Sequence, residues 1–94
     1  MTKEIDDIVR LRAQIDAIDA AMLDLLAKRR DIALEIAKNK QTAGKQEDEK
    51  RVVAILDNIE EEANKRGLDG RAVRDIWRRV IMYMIEEQMK THPY

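Results

Sequence analysis

The sequence predicts an all-α fold of three helices per chain, with a long first helix, and three observations lead there. No Gly or Pro interrupts the chain between Ile5 and Lys40. Apolar residues recur in steps of three and four, as one face of a helix requires. No stretch alternates apolar and polar residues at the period of two that marks a strand. In the first helix, Ile5 to about Lys40, the apolar stripe is Ile8, Leu11, Ile15, Ile18, Met22 and Leu25, resuming at Ile32 and Ile36. Gln41 to Gln46, with Gly44, reads as a loop. A second helix from about Asp48 to Arg66 carries Val52, Leu56, Ile59 and Ala63, with Gly67 as its C-cap. Asp69 is placed to N-cap a third helix, which runs to about Lys90 with Val73, Trp77, Val80, Ile81, Met84 and Ile85 and ends before Pro93.

Length turns this into an expectation about assembly. The 94 residues suit a single domain, 1–94. Yet a first helix of about 36 residues would be roughly 54 Å long, while a globule of this size has a radius of gyration of only about 12 Å. Hydrophobic residues make up 45%, but with no Phe, one Trp and two Tyr the core is aliphatic and modest. The long helix therefore calls for a second copy, and the expected assembly is an intertwined helical homodimer.

Composition narrows the function. Lys plus Arg number 18 against 19 Asp plus Glu, a net charge of -1, so no overall field draws nucleic acid and any cationic site must be local. No apolar run approaches the roughly 18 residues that span a bilayer, and the polar opening Met1 to Asp7 has no targeting character, so a soluble cytoplasmic protein without membrane attachment is expected. Cys and Ser are absent, and the single His92 stands near the end of the sequence. That leaves no thiol or serine nucleophile and no His-rich metal spacing. An enzyme with this inventory would work by positioning and electrostatics.

The places where the pattern breaks are the candidate site. The stripe of the first helix predicts an apolar residue at position 29, and Arg29 stands there. Lys40, eleven residues on, returns to within about 20° of the same face, about 16 Å along the axis. On the third helix Gln88 falls about 20° from Ile81, an amide on a mostly apolar face. Arg51 and Arg12 flank the stripes of the second and first helices. Guanidinium groups match carboxylates through paired N–H donors, while Lys and Gln donate to a single oxygen, so a dicarboxylate with an ether oxygen between its halves would fit. Arg12 and Arg29 are roughly 25 Å apart on a straight helix, and only an antiparallel partner chain could bring one of each to the same ligand. Against this, long cationic side chains beside a stripe commonly just extend to solvent, and the runs Glu47 to Glu49 and Glu60 to Glu62 read as solvated faces.

The series Leu11-Arg12-x-x-Ile15-Asp16-x-x-Asp19-x-x-Met22-Leu23-x-Leu25-Leu26-x-x-Arg29, then Ile36-Ala37-x-x-Lys40, Asp48-x-x-Arg51 and Gln88, resembles the all-helical (AroQ-type) chorismate mutases over nearly the whole chain. The resemblance implies a Claisen rearrangement of chorismate to prephenate that requires no nucleophile, metal or cofactor. Arg29, Arg51 and the partner chain's Arg12 would hold the two carboxylates. Lys40 and Gln88 would donate to the ether oxygen as it gains charge, and Asp48 would lie near the ring hydroxyl, with Ile81, Met84 and Ile85 lining the pocket. Val52 departs from the pattern, since many such mutases carry a Glu there, and Met84 replaces a small polar residue found in some members. The segment Arg51 to Leu56 and the ending Ile81-x-x-x-Ile85-x-Glu87-Gln88 also resemble isochorismate pyruvate lyases, which would form salicylate and pyruvate. An aminodeoxychorismate mutase and a non-catalytic helical dimerisation module are further alternatives.

Overall fold

The computed structural model describes residues 2–39 and 45–91. They form three α-helices, α1 (Lys3–Asn39), α2 (Lys45–Lys65) and α3 (Gly70–Thr91), and no strand occurs among the described residues. The all-α expectation holds, with two boundaries moved. α1 begins two residues before Ile5 because Thr2 caps it: its Oγ1 accepts the Ile5 N–H at 3.4 Å and its carbonyl accepts the Asp6 N–H at 3.2 Å. Glu4 and Asp6 in the first turn and Lys38 in the last then complement the helix dipole. α2 begins at Lys45 rather than Asp48, since nothing after Gly44 breaks a helix and Lys, Gln and Glu all favour one. The remainder of the predicted loop, Gln41 to Gly44, lies outside the described residues, as do Lys40, His92 and Pro93.

The chain divides into two compact units, Met1–Ile32 and Ala33–Tyr94. The first is helix alone. Its stripe is solvent-facing in the single chain: Ile8, Leu11, Ile15, Ile18, Met22 and Leu25 are 47 to 64% exposed. A lone helix has no second layer against which to bury such a stripe. The second unit contains the end of α1 and the antiparallel pair α2 and α3, and among the described residues its buried hydrophobic side chains are Ala37, Leu56, Ala63, Ile81 and Met84. Val52, Leu56, Ile59 and Ala63 of α2 face Val73, Trp77, Val80, Ile81 and Met84 of α3, which are the apolar positions the periodicity singled out.

Two glycines shape the turn between α2 and α3 for different reasons. Gly67 has φ +77°, and around it the Leu68 N–H donates to the Ala63 carbonyl at 3.0 Å and the Gly67 N–H to Asn64 at 3.1 Å, which closes α2 in a Schellman motif. Nothing lies within 4 Å of where a Gly67 Cβ would be, so only its backbone conformation demands glycine. At Gly70 the demand is space: a Cβ would overlap Asn64 Oδ1 and sit 2.6 Å from the Glu60 carbonyl oxygen. Gly67→Ala is therefore expected to cost about 1 kcal/mol and Gly70→Ala about 2 to 3 kcal/mol, read from urea midpoints at unchanged slope. Equal losses would contradict this assignment.

Polar contacts fix how α2 and α3 meet. Asn64 Oδ1 accepts the Gly70 N–H at 2.9 Å, and Asp69 Oδ1 caps α3 by accepting from the Arg71 and Ala72 N–H groups at 3.1 and 3.2 Å. Arg74, with 24% of its side chain exposed, reaches across to Asp57 at 2.8 Å and Glu60 at 3.6 Å. The hydrogen bond that Arg74 donates to Asp57 raises the Arg74 pKa above its ordinary value and so holds the guanidinium charged.

Candidate active site

The clamp of Arg74 on Asp57 sets the register of the antiparallel pair. Nine residues back along α2 and nine on along α3, Asp48 stands level with Tyr83, while Arg51 and Val52 stand level with Val80 and Arg79. The start of α2 and the end of α3 thus share one end of the second unit. Asp48 and Val52 are partly buried there and Arg51 is exposed. Ile81 and Met84 are buried at 7% and 3% exposure, whereas Ile85 is 45% exposed.

Gln88 continues the inward face of α3 one turn beyond Met84 and is itself partly buried. Its Nε2 donates to the Ala33 carbonyl oxygen of α1 at 2.7 Å, so the amide that breaks the apolar pattern has a specific partner 55 positions away. Next to it, the Tyr83 hydroxyl donates to Glu87 Oε1 at 2.9 Å, and Lys90 lies 3.5 Å from Glu87 Oε2. The carboxylate that precedes Gln88 in the chain is thereby already engaged.

Arg29 is partly buried and Arg12 is exposed, both within the first unit. They are separated along one continuous helix by roughly 25 Å, so a single chain does not bring both to one small ligand. Lys40 lies outside the described residues. Of the nine candidate residues that are described, seven fall in the second unit, namely Asp48, Arg51, Val52, Ile81, Met84, Ile85 and Gln88, and two, Arg12 and Arg29, fall in the first.

Sequence reasoning did not single out Arg74, Asn64 or the Ala33 carbonyl. Arg74 and Asp57 differ in no visible way from the other charges of two charged helices. A main-chain acceptor leaves no trace in sequence at all. Among the described residues, no three His, Cys, Asp or Glu side chains gather where they could hold a metal ion. No described helix is long and apolar enough to cross a membrane.

Comparison with known proteins bears on the same residues. The sequence matches the family described as chorismate mutase type II over residues 11–89, a span that begins just before Arg12 and closes just after Gln88. It is also 34% identical over 76 residues to the T-protein of Enterobacter agglomerans, an alignment that covers 80% of this chain. The chain spans about a fifth (20%) of the length of that curated relative. Neither match is to an isochorismate pyruvate lyase. No solved structure matches. With more than four-fifths of its length matched, in a span that takes in all of α2, most of α1 and α3 and every candidate residue, the chain belongs to the chorismate mutase type II family.

Proposed function

We propose that this chain converts chorismate to prephenate in two equivalent sites, each shared between the chains of a homodimer. Family membership is the observation that carries the reading. In the rearrangement the ether C–O bond breaks as a C–C bond forms between the enolpyruvyl methylene and the ring, so no atom is gained or lost and no external proton, electron or nucleophile is needed. That chemistry suits a chain without Cys or Ser.

In this proposal Arg29 and Arg51 of one chain and Arg12 of its partner hold the two carboxylates. Guanidinium pairs fix both the position and the fold of the enolpyruvyl arm over the ring, which removes much of the entropic cost of reaching the reactive conformer. Gln88 and Lys40 donate to the ether oxygen. Charge grows on that oxygen only as its bond breaks, so donors placed there favour the transition state over the bound substrate. The buried Ile81 and Met84 support an apolar wall in which such donors act at low dielectric. Asp48, partly buried at the start of α2, lies at the same end and would meet the ring hydroxyl. Val52 puts an aliphatic side chain where many relatives have a carboxylate, leaving Asp48 to that role.

The dimer is supported by the exposed stripe of α1. Ile15, Ile18, Met22 and Leu25, all 57 to 64% exposed, form a continuous apolar seam that an antiparallel second copy would cover. Such pairing also places Arg12 of one chain near Arg29 of the other.

The test supplies purified protein with chorismate and with isochorismate separately and identifies products by NMR, beside Arg29→Ala and Gln88→Ala controls. Prephenate from chorismate is expected, with kcat lowered about a hundredfold in Gln88→Ala, the usual scale for losing one transition-state donor. Salicylate and pyruvate from isochorismate alone would move the assignment to a lyase. No turnover of either would leave a helical dimerisation module.

A further inference from the structure

The bond between Gln88 and α1 reveals more than proximity. Nε2 lies 2.7 Å from the Ala33 oxygen, and Ala33 and Gln88 belong to the same compact unit. A main-chain carbonyl can only accept hydrogen bonds, so the atom of the Gln88 amide that faces it must be the nitrogen. Turning the amide over would set two acceptors against each other and strand a partly buried carbonyl oxygen of the side chain. The Ala33 oxygen has two lone pairs, so it can serve the helical ladder of α1 and Gln88 together.

We propose that the Ala33 carbonyl is a positioning group for Gln88: it takes one N–H of the amide, thereby fixing which way round the amide sits, and leaves the second N–H for the reacting ether oxygen of the ligand. This rests on the reading of Gln88 as a donor to that oxygen. The two N–H bonds of a planar amide diverge by about 120°, so a ligand oxygen at about 2.9 Å from Nε2 stands about 5 Å from the Ala33 oxygen. Gln is among the side chains with most rotamer freedom to lose, and the Ala33 bond removes that freedom before the ligand arrives. The device contributes to the chemical step more than to binding, because the oxygen it serves gains charge only in the transition state.

The experiment has two parts, both on the full chain. The side-chain NH2 of Gln88 is observed by 15N NMR with and without prephenate, whose pyruvyl ketone oxygen is the former ether oxygen. One proton is expected to exchange slowly with solvent and to stay put on addition of prephenate, while its geminal neighbour shifts. Rapid exchange of both protons in the free protein, or displacement of both by prephenate, would overturn the proposal. In the second part the backbone amide between residues 33 and 34 is replaced by an ester, using the α-hydroxy acid counterpart of Leu34, which weakens the Ala33 carbonyl as an acceptor. An ester between residues 34 and 35 controls for general loss of helix. Only the first is expected to lower kcat, about tenfold, with KM within about twofold; equal effects of both esters would refute a positioning role. If the native chain does not turn over chorismate at all, the functional reading itself fails and the proposal falls with it.

Discussion

Mixing an Arg12→Ala chain with an Arg29→Ala chain, unfolded together and refolded, is expected to restore about a quarter of the native turnover, where each variant alone shows about a hundredth or less. The fraction follows from symmetry. Random pairing puts half of the dimers in the mixed form, and each mixed dimer has one site with both arginines intact and one with neither. Intact sites are then one in four. The loss in each single variant reflects a ligand carboxylate left without its bidentate partner in a partly desolvated site, worth roughly 3 kcal/mol or a factor of about a hundred in kcat/KM. Steady-state kinetics on the mixture measures the recovery, with circular dichroism verifying that both variants are folded. Activity that does not rise on mixing would show that Arg12 and Arg29 do not serve one shared site.

The second large effect is on assembly. Replacing Ile18 and Leu25 by Lys is expected to convert the protein to a monomer at micromolar concentration in analytical ultracentrifugation. The native chain should sediment as a dimer, with a thermal midpoint that rises with protein concentration. Both side chains lie on the exposed seam of α1, at 59% and 64% exposure, one heptad apart. Burying each contributes about 1.5 to 3 kcal/mol, and a two-fold interface counts every substitution twice. Four lost side chains per dimer therefore weaken association by about 6 kcal/mol at the least, a factor above roughly ten thousand in Kd. A native chain that sediments as a monomer, or a double variant that remains dimeric, would contradict the assignment of this face.

These predictions draw on two kinds of information. The helices were legible because the residues that make them act locally. The unbroken run from Ile5 to Lys40, the alternating steps of Ile8 to Leu25 and the Gly67 and Asp69 signals all concern residues within a turn of each other, and the structure has α1, α2 and α3 in those places. The inward faces of α2 and α3 were legible for the same reason. Leu56, Ala63, Ile81 and Met84 fall at helical spacing, and they are buried. Gln88 could be picked out because it violates that spacing. What it meets could not be, since the Ala33 carbonyl is common to every residue type.

By itself, then, the sequence determined three helices, where they stop, which faces are apolar and which polar residues interrupt those faces, because helix period, capping and Gly conformational freedom are properties of short segments. Only the tertiary structure decided that Arg74 grips Asp57 and Glu60, that Asn64 closes on Gly70, and that Gln88 turns its nitrogen to Ala33. Each of these pairs residues from different helices, and their meeting depends on the register and rotation of whole elements. Many charge pairings would satisfy the pattern of these helices, and only packing selects among them.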